Sequence, residues 1–255
     1  YHYFYDLLLA QVHNLTKIPI IDLYFRFFPI LISVLFGLAI FTLARRMTKS
    51  EEAAQFAVFS SYFAGSFGWV FSFFREGRFG GESMFWANQA VSFLLNPPFA
   101  ISVVIFLVGL LLFQNYLSQK NLNLSPSTLN LTPFVIAILW GSLIQFKAYA
   151  GVLVIGALGI LAVWEIILKR TFQALKILVP TGLVSALIFL PNNFGAGNLL
   201  VYSPFWFIHT MVEYQDRFFW LRLANARGAY LQMGWWDRLI LAEILGLTIF
   251  LVGNL

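Results

Sequence analysis

Arg217, Arg222 and Arg227 stand five residues apart, and Glu213 and Asp216 lie just before them. Guanidinium forks grip phosphate oxygens at two points, and a carboxylate can take the proton of an attacking hydroxyl. Lys147, in the corner Phe146-Lys147-Ala148-Tyr149-Ala150-Gly151, offers a point charge for the same kind of anion. Asp6 and Glu82 are the candidate carboxylates for proton transfer. His2, Asn88 and His209 are candidates for polar contact with a sugar or an acceptor, and Glu213 could join them.

Each of these residues also has a plainer role. Arg75, Glu76 and Arg78 can anchor a loop among lipid headgroups. Glu213 and Arg217 are spaced to pair at i, i+4, as are His2 and Asp6. His209, inside Phe205-Trp206-Phe207-Ile208-His209, can pack among aromatic rings as readily as it can meet a sugar. Asn14-Leu15-Thr16 matches a glycosylation sequon, a three-residue pattern that chance supplies often.

The elements that must position these groups are membrane helices. A mean hydropathy of +0.80 with 11% charged residues excludes an ordinary soluble domain. Several apolar runs reach the roughly 20 residues that a helix needs to cross a hydrocarbon core of about 30 Å. The runs are too long for the short alternating segments of a membrane barrel, so the fold class is all-α, a polytopic transmembrane helical bundle. The absence of cysteine excludes disulfides and thiolate metal sites, and the three histidines show no metal-ligand spacing. Carboxylates are available for a divalent cation, but nothing in the sequence specifies one. The net charge of +5 suits anionic lipid or phosphate; nothing points to nucleic acid.

Along the chain, Tyr1 to Lys17 reads as an amphipathic interfacial helix. Asp22 is a candidate N-cap for a span from Leu23 to Ala44. Arg45, Arg46 and Lys49 mark a cytoplasmic turn, and Ser50-Glu51-Glu52 opens the next helix, where acidic groups suit the helix dipole. Residues 75 to 96 read as an external segment with glycines at 77, 80 and 81. Asn96-Pro97-Pro98 restarts the chain for a span over Phe99–Tyr116. Spans are expected over Pro133–Phe146, Tyr149–Leu168 and Phe172–Leu190, the last kinked at Pro180. A second external loop covers 191 to 234, and a final span begins near Asp237. That makes about seven crossings in one transmembrane domain over 1–255, and the chain reads as a fragment.

The short inner turns carry Arg45, Arg46, Lys49, Lys120, Lys169 and Arg170, which sets the orientation. Against that bias, Lys17, Arg75, Arg78, Lys147, Arg217, Arg222, Arg227 and Arg238 fall outside. Cations on the unfavoured side point to an anion that they hold. Glu243, two turns inside the last span, is costly there and is a functional candidate unless Arg238 or a neighbouring helix pairs with it. Glu165 is expected to pair with Lys169 at i+4.

The segments YHYFYDLLLAQVHNL, FWANQAVSFLLNPPFA, FKAYAG and SPFWFIHTMVEYQDRFFWLRLANAR, in this order among spans, resemble the GT-C class of integral membrane glycosyltransferases. The resemblance covers most of the chain and rests on layout more than on any invariant signature. It implies hexosyl or pentosyl transfer from a polyprenyl-phosphate donor at the external face of a prokaryotic plasma membrane, in the cell envelope. It also implies that Lys147 and the late arginines neutralise the leaving phosphate. That class carries its catalytic aspartate early in the first external loop, which this chain does not include. The resemblance therefore implies that the fragment alone is inactive. The other reading is a non-enzymatic membrane transporter or lipid-binding subunit, with Glu243 and the Pro180 span lining a path. The transferase reading expects basic side chains from distant segments to meet in one outward-facing hollow, where a charged lipid head docks.

Overall fold

The computed structural model describes residues 3–64, 73–74, 77, 93–94, 96–119, 126–193, 206–214 and 220–254. The described residues are helical, without strands: an all-α membrane protein. The elements are α1 (Phe4–Thr16), α2 (Ile20–Thr48), α3 (Glu51–Phe63), α4 (Pro97–Gln119), α5 (Pro126–Phe146), α6 (Ala148–Lys169), α7 (Gln173–Asn193), α8 (Trp206–Glu213), α9 (Leu221–Met233) and α10 (Trp236–Asn254). Four of the described helices are long and apolar enough to cross a membrane: α2, α4 up to Ser118, α6 and α7; α5 contains a shorter apolar stretch, Leu131–Phe146.

The sequence reads as one domain, and the structure divides into two compact units. One holds residues 1–58 and 93–196, the other 59–92 and 197–255. The boundary falls within α3.

The first unit contains the four candidate spans. The helix ends follow from local chemistry. α2 starts after Pro19 and runs unbroken through Asp22, which pairs with Arg26 at 2.9 Å instead of capping a helix that starts at Leu23. A widened π-helical turn over Leu23–Phe27 precedes Pro29. Proline lacks an N–H and crowds the carbonyl four residues back, and a wider turn accommodates both faults without ending the helix. α3 opens after Ser50 as expected, and Ser50 caps it: its Oγ accepts the N–H of Ala53 and donates to Glu52 at 2.7 Å. That hydroxyl holds the Glu52 carboxyl below its usual range. Arg46 ties the end of α2 to α4 by donating to Asn115 Oδ1 at 2.8 Å.

The least span-like of these helices is the inner one. α5 packs on α4, α6 and α7, and Ile136, Ala137, Leu143 and Gln145 are fully buried along it. Membrane helices gain little from burying apolar area against one another, since lipid tails are equally apolar, so packing and polar contacts must join them. Here Trp140 Nε1 donates to the Phe106 carbonyl at 3.2 Å, Ser185 Oγ to the Gly141 carbonyl at 3.0 Å, and Tyr116 to Gln173 at 2.8 Å. Around them Phe113, Ile136, Leu143, Val154, Leu158 and Ile177 form a closed core. The outer faces keep large apolar side chains exposed, such as Leu153, Ile160 and Leu187, as a hydrocarbon solvent requires.

Glu165 is buried and does not pair with Lys169. Its Oε2 accepts the N–H of Ala174 at 2.9 Å and so closes the start of α7. The chain reverses between α6 and α7 at Arg170, in the left-handed region, and this brings the carboxylate to the orphan N–H groups of the next helix.

In the second unit α8, α9 and α10 pack on one another. α9 ends at Gly234, whose φ of +68° is the left-handed closing position where glycine is at ease. The chain turns there into α10, which follows Trp235 and carries Trp236 and Asp237 in its first turn. Arg238 lies 4.5 Å from the centre of the Trp235 ring, so it does not pair with Glu243.

Candidate functional site

Two places gather chemistry, one in each unit. In the first unit a single residue makes the corner between α5 and α6. Lys147 is extended, with φ −158° and ψ 110°. Its N–H closes α5 on the Leu143 carbonyl, and its own carbonyl accepts the first N–H groups of α6, from Ala150 and Gly151. So tight a return presses α6 onto α5 at Gly151, where a Cβ would come within 2.8 Å of the Ile144 backbone. The side chain projects from this corner. Lys147 Nζ lies 3.5 Å from Asn96 Oδ1 and 5.7 Å from the centre of the Tyr149 ring. Asn96 has two roles, because its Oδ1 also accepts the Phe99 N–H and starts α4. Among the described residues no carboxylate lies within ion-pair distance of Lys147.

Beside this cation runs an apolar groove of about 370 Å³, between α4 and α6. Phe99 and Tyr149 stand at its Lys147 end with their rings 6.2 Å apart, and Phe106, Leu153 and Ala157 line it further along. From Phe99 to Phe106 a helix advances roughly 10 Å. The volume lies within the usual range of ligand sites, about 300–1,000 Å³. Gln145, two residues before Lys147, is fully buried with neither amide atom bonded to a described residue.

Asp6 is exposed in the first turn of α1. Its neighbour Tyr5 is buried against Tyr24 and Phe28, and burial pushes its phenol well above the ordinary value, with Tyr24 and Asp6 adding to the effect. His2, Glu82, Asn88 and Arg217 lie outside the described residues, as do Arg75 and Arg78.

In the second unit four ionisable groups form a chain. His209 and Glu213 sit one turn apart on α8 and so share a face. Arg227, from α9, pairs with Glu213 and comes within 3.6 Å of Glu243 on α10. Glu243 Oε2 lies 2.6 Å from His209 Nε2. All four side chains are partly shielded, between 21% and 36% exposed. Arg222, on the same helix as Arg227, is exposed, with no acidic partner among the described residues.

The structure thus brings His209, Glu213 and Arg227 together and adds Glu243. Lys147 belongs to the other unit. Nothing in the spacing of Arg227 or His209 announces Glu243 as partner, since the contacts span 16 and 34 residues of chain. The one legible signal was the position of Glu243 in an apolar helix, which demands a partner. Among the described residues no three of His, Asp and Glu gather as a metal site. No protein-family model, curated protein or solved structure matches the chain.

Proposed function

We propose that the chain is a membrane glycosyltransferase of the GT-C kind, moving a sugar from a polyprenyl-phosphate donor to an acceptor at the external face of a prokaryotic plasma membrane. The observation that carries this reading is the pairing of a carboxylate-free cation with an apolar groove. A polyprenyl phosphate has one anionic head on a long hydrocarbon tail. The groove between α4 and α6 accepts the tail, and Lys147 meets the head. During transfer the phosphate gains charge as the sugar–oxygen bond breaks. An ammonium already in place there stabilises that change with little rearrangement, which is the main source of rate in such sites.

The test is retention of a radiolabelled polyprenyl phosphate by the full-length protein in nanodiscs. K147A removes the charge. A157F fills the groove from a residue that is exposed along it. Each weakens retention about tenfold or more; unchanged retention in both variants removes the reading. A transporter is the rival, and its support is Glu243 within α10. It predicts flux across sealed vesicles without any sugar transfer.

A further inference from the structure

We infer that Asn96 is a second anion-binding residue, whose side-chain amide holds the lipid phosphate together with Lys147; this rests on the transferase reading of that site and adds the group that positions the head. Asn96 is fixed at the start of α4. Pro97 and Pro98 have no N–H, so the first donors of the helix are those of Phe99 and Ala100. Both go to Asn96: its Oδ1 accepts the Phe99 N–H at 3.3 Å, and its carbonyl accepts the Ala100 N–H at 3.1 Å. The proline that follows restricts the backbone of Asn96 itself, and Pro97 is fully buried. The amide is held in place before any ligand arrives, which lowers the cost of binding.

The same oxygen lies 3.5 Å from Lys147 Nζ. An atom that faces both an N–H and an ammonium must be the acceptor of the amide, so the other end is the nitrogen. The two donors of Nδ2 have no acceptor among the described residues. Asn96 is partly buried and precedes Phe99 by three residues; Lys147 precedes Tyr149 by two. Those two rings stand together at one end of the groove. Amide and ammonium thus come from two helix ends of one compact unit and meet at the same end of that groove.

The residue type matters. Aspartate caps a helix as well as asparagine does, and its charge suits the positive end of the helix dipole better. It would also set a carboxylate against Lys147 and cancel the cation. Asparagine starts α4 without that charge and adds two neutral donors beside the ammonium. A phosphate ester presents more than one free oxygen, so one can meet the ammonium and another the amide N–H, both as charge-assisted bonds. A choline headgroup brings its own cation towards Lys147 and is disfavoured. The ligand class that fits is a phosphate ester without a cation, carried on a hydrocarbon tail.

The experiment measures retention of radiolabelled polyprenyl phosphate by the full-length protein in phosphatidylcholine nanodiscs, scored per folded molecule, with a melting curve for each variant. N96D keeps the cap and melts at or above wild type. Its retention nevertheless falls about tenfold or more, because its carboxylate repels the phosphate and pairs with Lys147. N96S keeps an oxygen for the Phe99 N–H and lacks the amide, so its retention falls about threefold to tenfold at an unchanged melting temperature. A residue that only caps α4 predicts the opposite: both variants retain the lipid as wild type does. Retention within about twofold of wild type in either variant, with K147A weakened, overturns the role of Asn96 and leaves the transferase reading standing. Wild-type protein that retains no polyprenyl phosphate removes both.

Discussion

The two units treat their ionisable groups in opposite ways. In the first, Glu165 closes a helix, Arg46 joins two helix ends, and Lys147 has only an amide oxygen and an aromatic ring beside it. In the second, Glu213, Arg227, Glu243 and His209 satisfy one another in one connected chain. A cation without a carboxylate is free to hold an anion from outside. A guanidinium already shared by two carboxylates is structural first, and its removal leaves two charges uncompensated. The same side-chain chemistry, an exposed-side cation in a membrane protein, therefore divides into a binding role and a supporting role according to what packs around it. Arg227 was a candidate for phosphate and is engaged elsewhere; Arg222, exposed five residues earlier in α9, keeps that option.

The sharpest way to break this contrast is R227A. Breaking a buried ion pair costs about 3–5 kcal/mol, and the partial exposure of this pair reduces that to about 2 kcal/mol. Thermal melting in nanodiscs should show the loss, and R227A/E213Q/E243Q should recover part of it. Recovery of nothing would mean that Arg227 contributes by packing alone.

E165A tests the first unit. It strips a buried cap from α7 and costs about 1–2 kcal/mol, while E165Q, which keeps an oxygen for the Ala174 N–H, costs less than half of that. Equal losses would show that the charge matters more than the cap. K147A should leave stability within about 0.5 kcal/mol, since its side chain makes only one long amide contact and one ring contact, although lipid phosphate retention falls about tenfold. A large stability loss would erase the distinction between the units.

A cap more exposed than Glu165 is tested at Ser50. S50A costs about 1 kcal/mol as a lost N-cap. The Glu52 carboxyl is lowered on folding by the Ser50 hydroxyl, so its contribution is present above the ordinary carboxylate range and is lost as pH falls through the lowered value. S50A removes that acid-sensitive part, so the pH dependence of melting flattens on the acid side; an unchanged profile would place the effect elsewhere.

Much of the fold could be read along the chain because its causes are local. Apolar runs of membrane length, Ser50 ahead of two glutamates, and Asn96 before two prolines each specify an element within a few residues. Errors appeared where a local partner looked sufficient. Asp22 had a capping position in view but lies inside a helix that starts two residues earlier. Glu165 had Lys169 one turn away but reaches Ala174 across a reversal. Glu243 was expected to pair with Arg238 or with a neighbouring helix, and the second holds: His209 on α8 and Arg227 on α9 reach it, while Arg238 lies on Trp235. An i, i+4 argument covers only the helix on which it is made.

The sequence by itself determined a membrane-resident helical protein, the ends of many of its helices, and the list of charged groups that need partners, since hydrophobic length and capping act over a turn or two. Which helix lies innermost, that a groove opens between α4 and α6 next to Lys147, and that His209 meets Glu243 were decided only by tertiary packing. A side chain is oriented by the helices pressed against its own, and those come from remote parts of the chain.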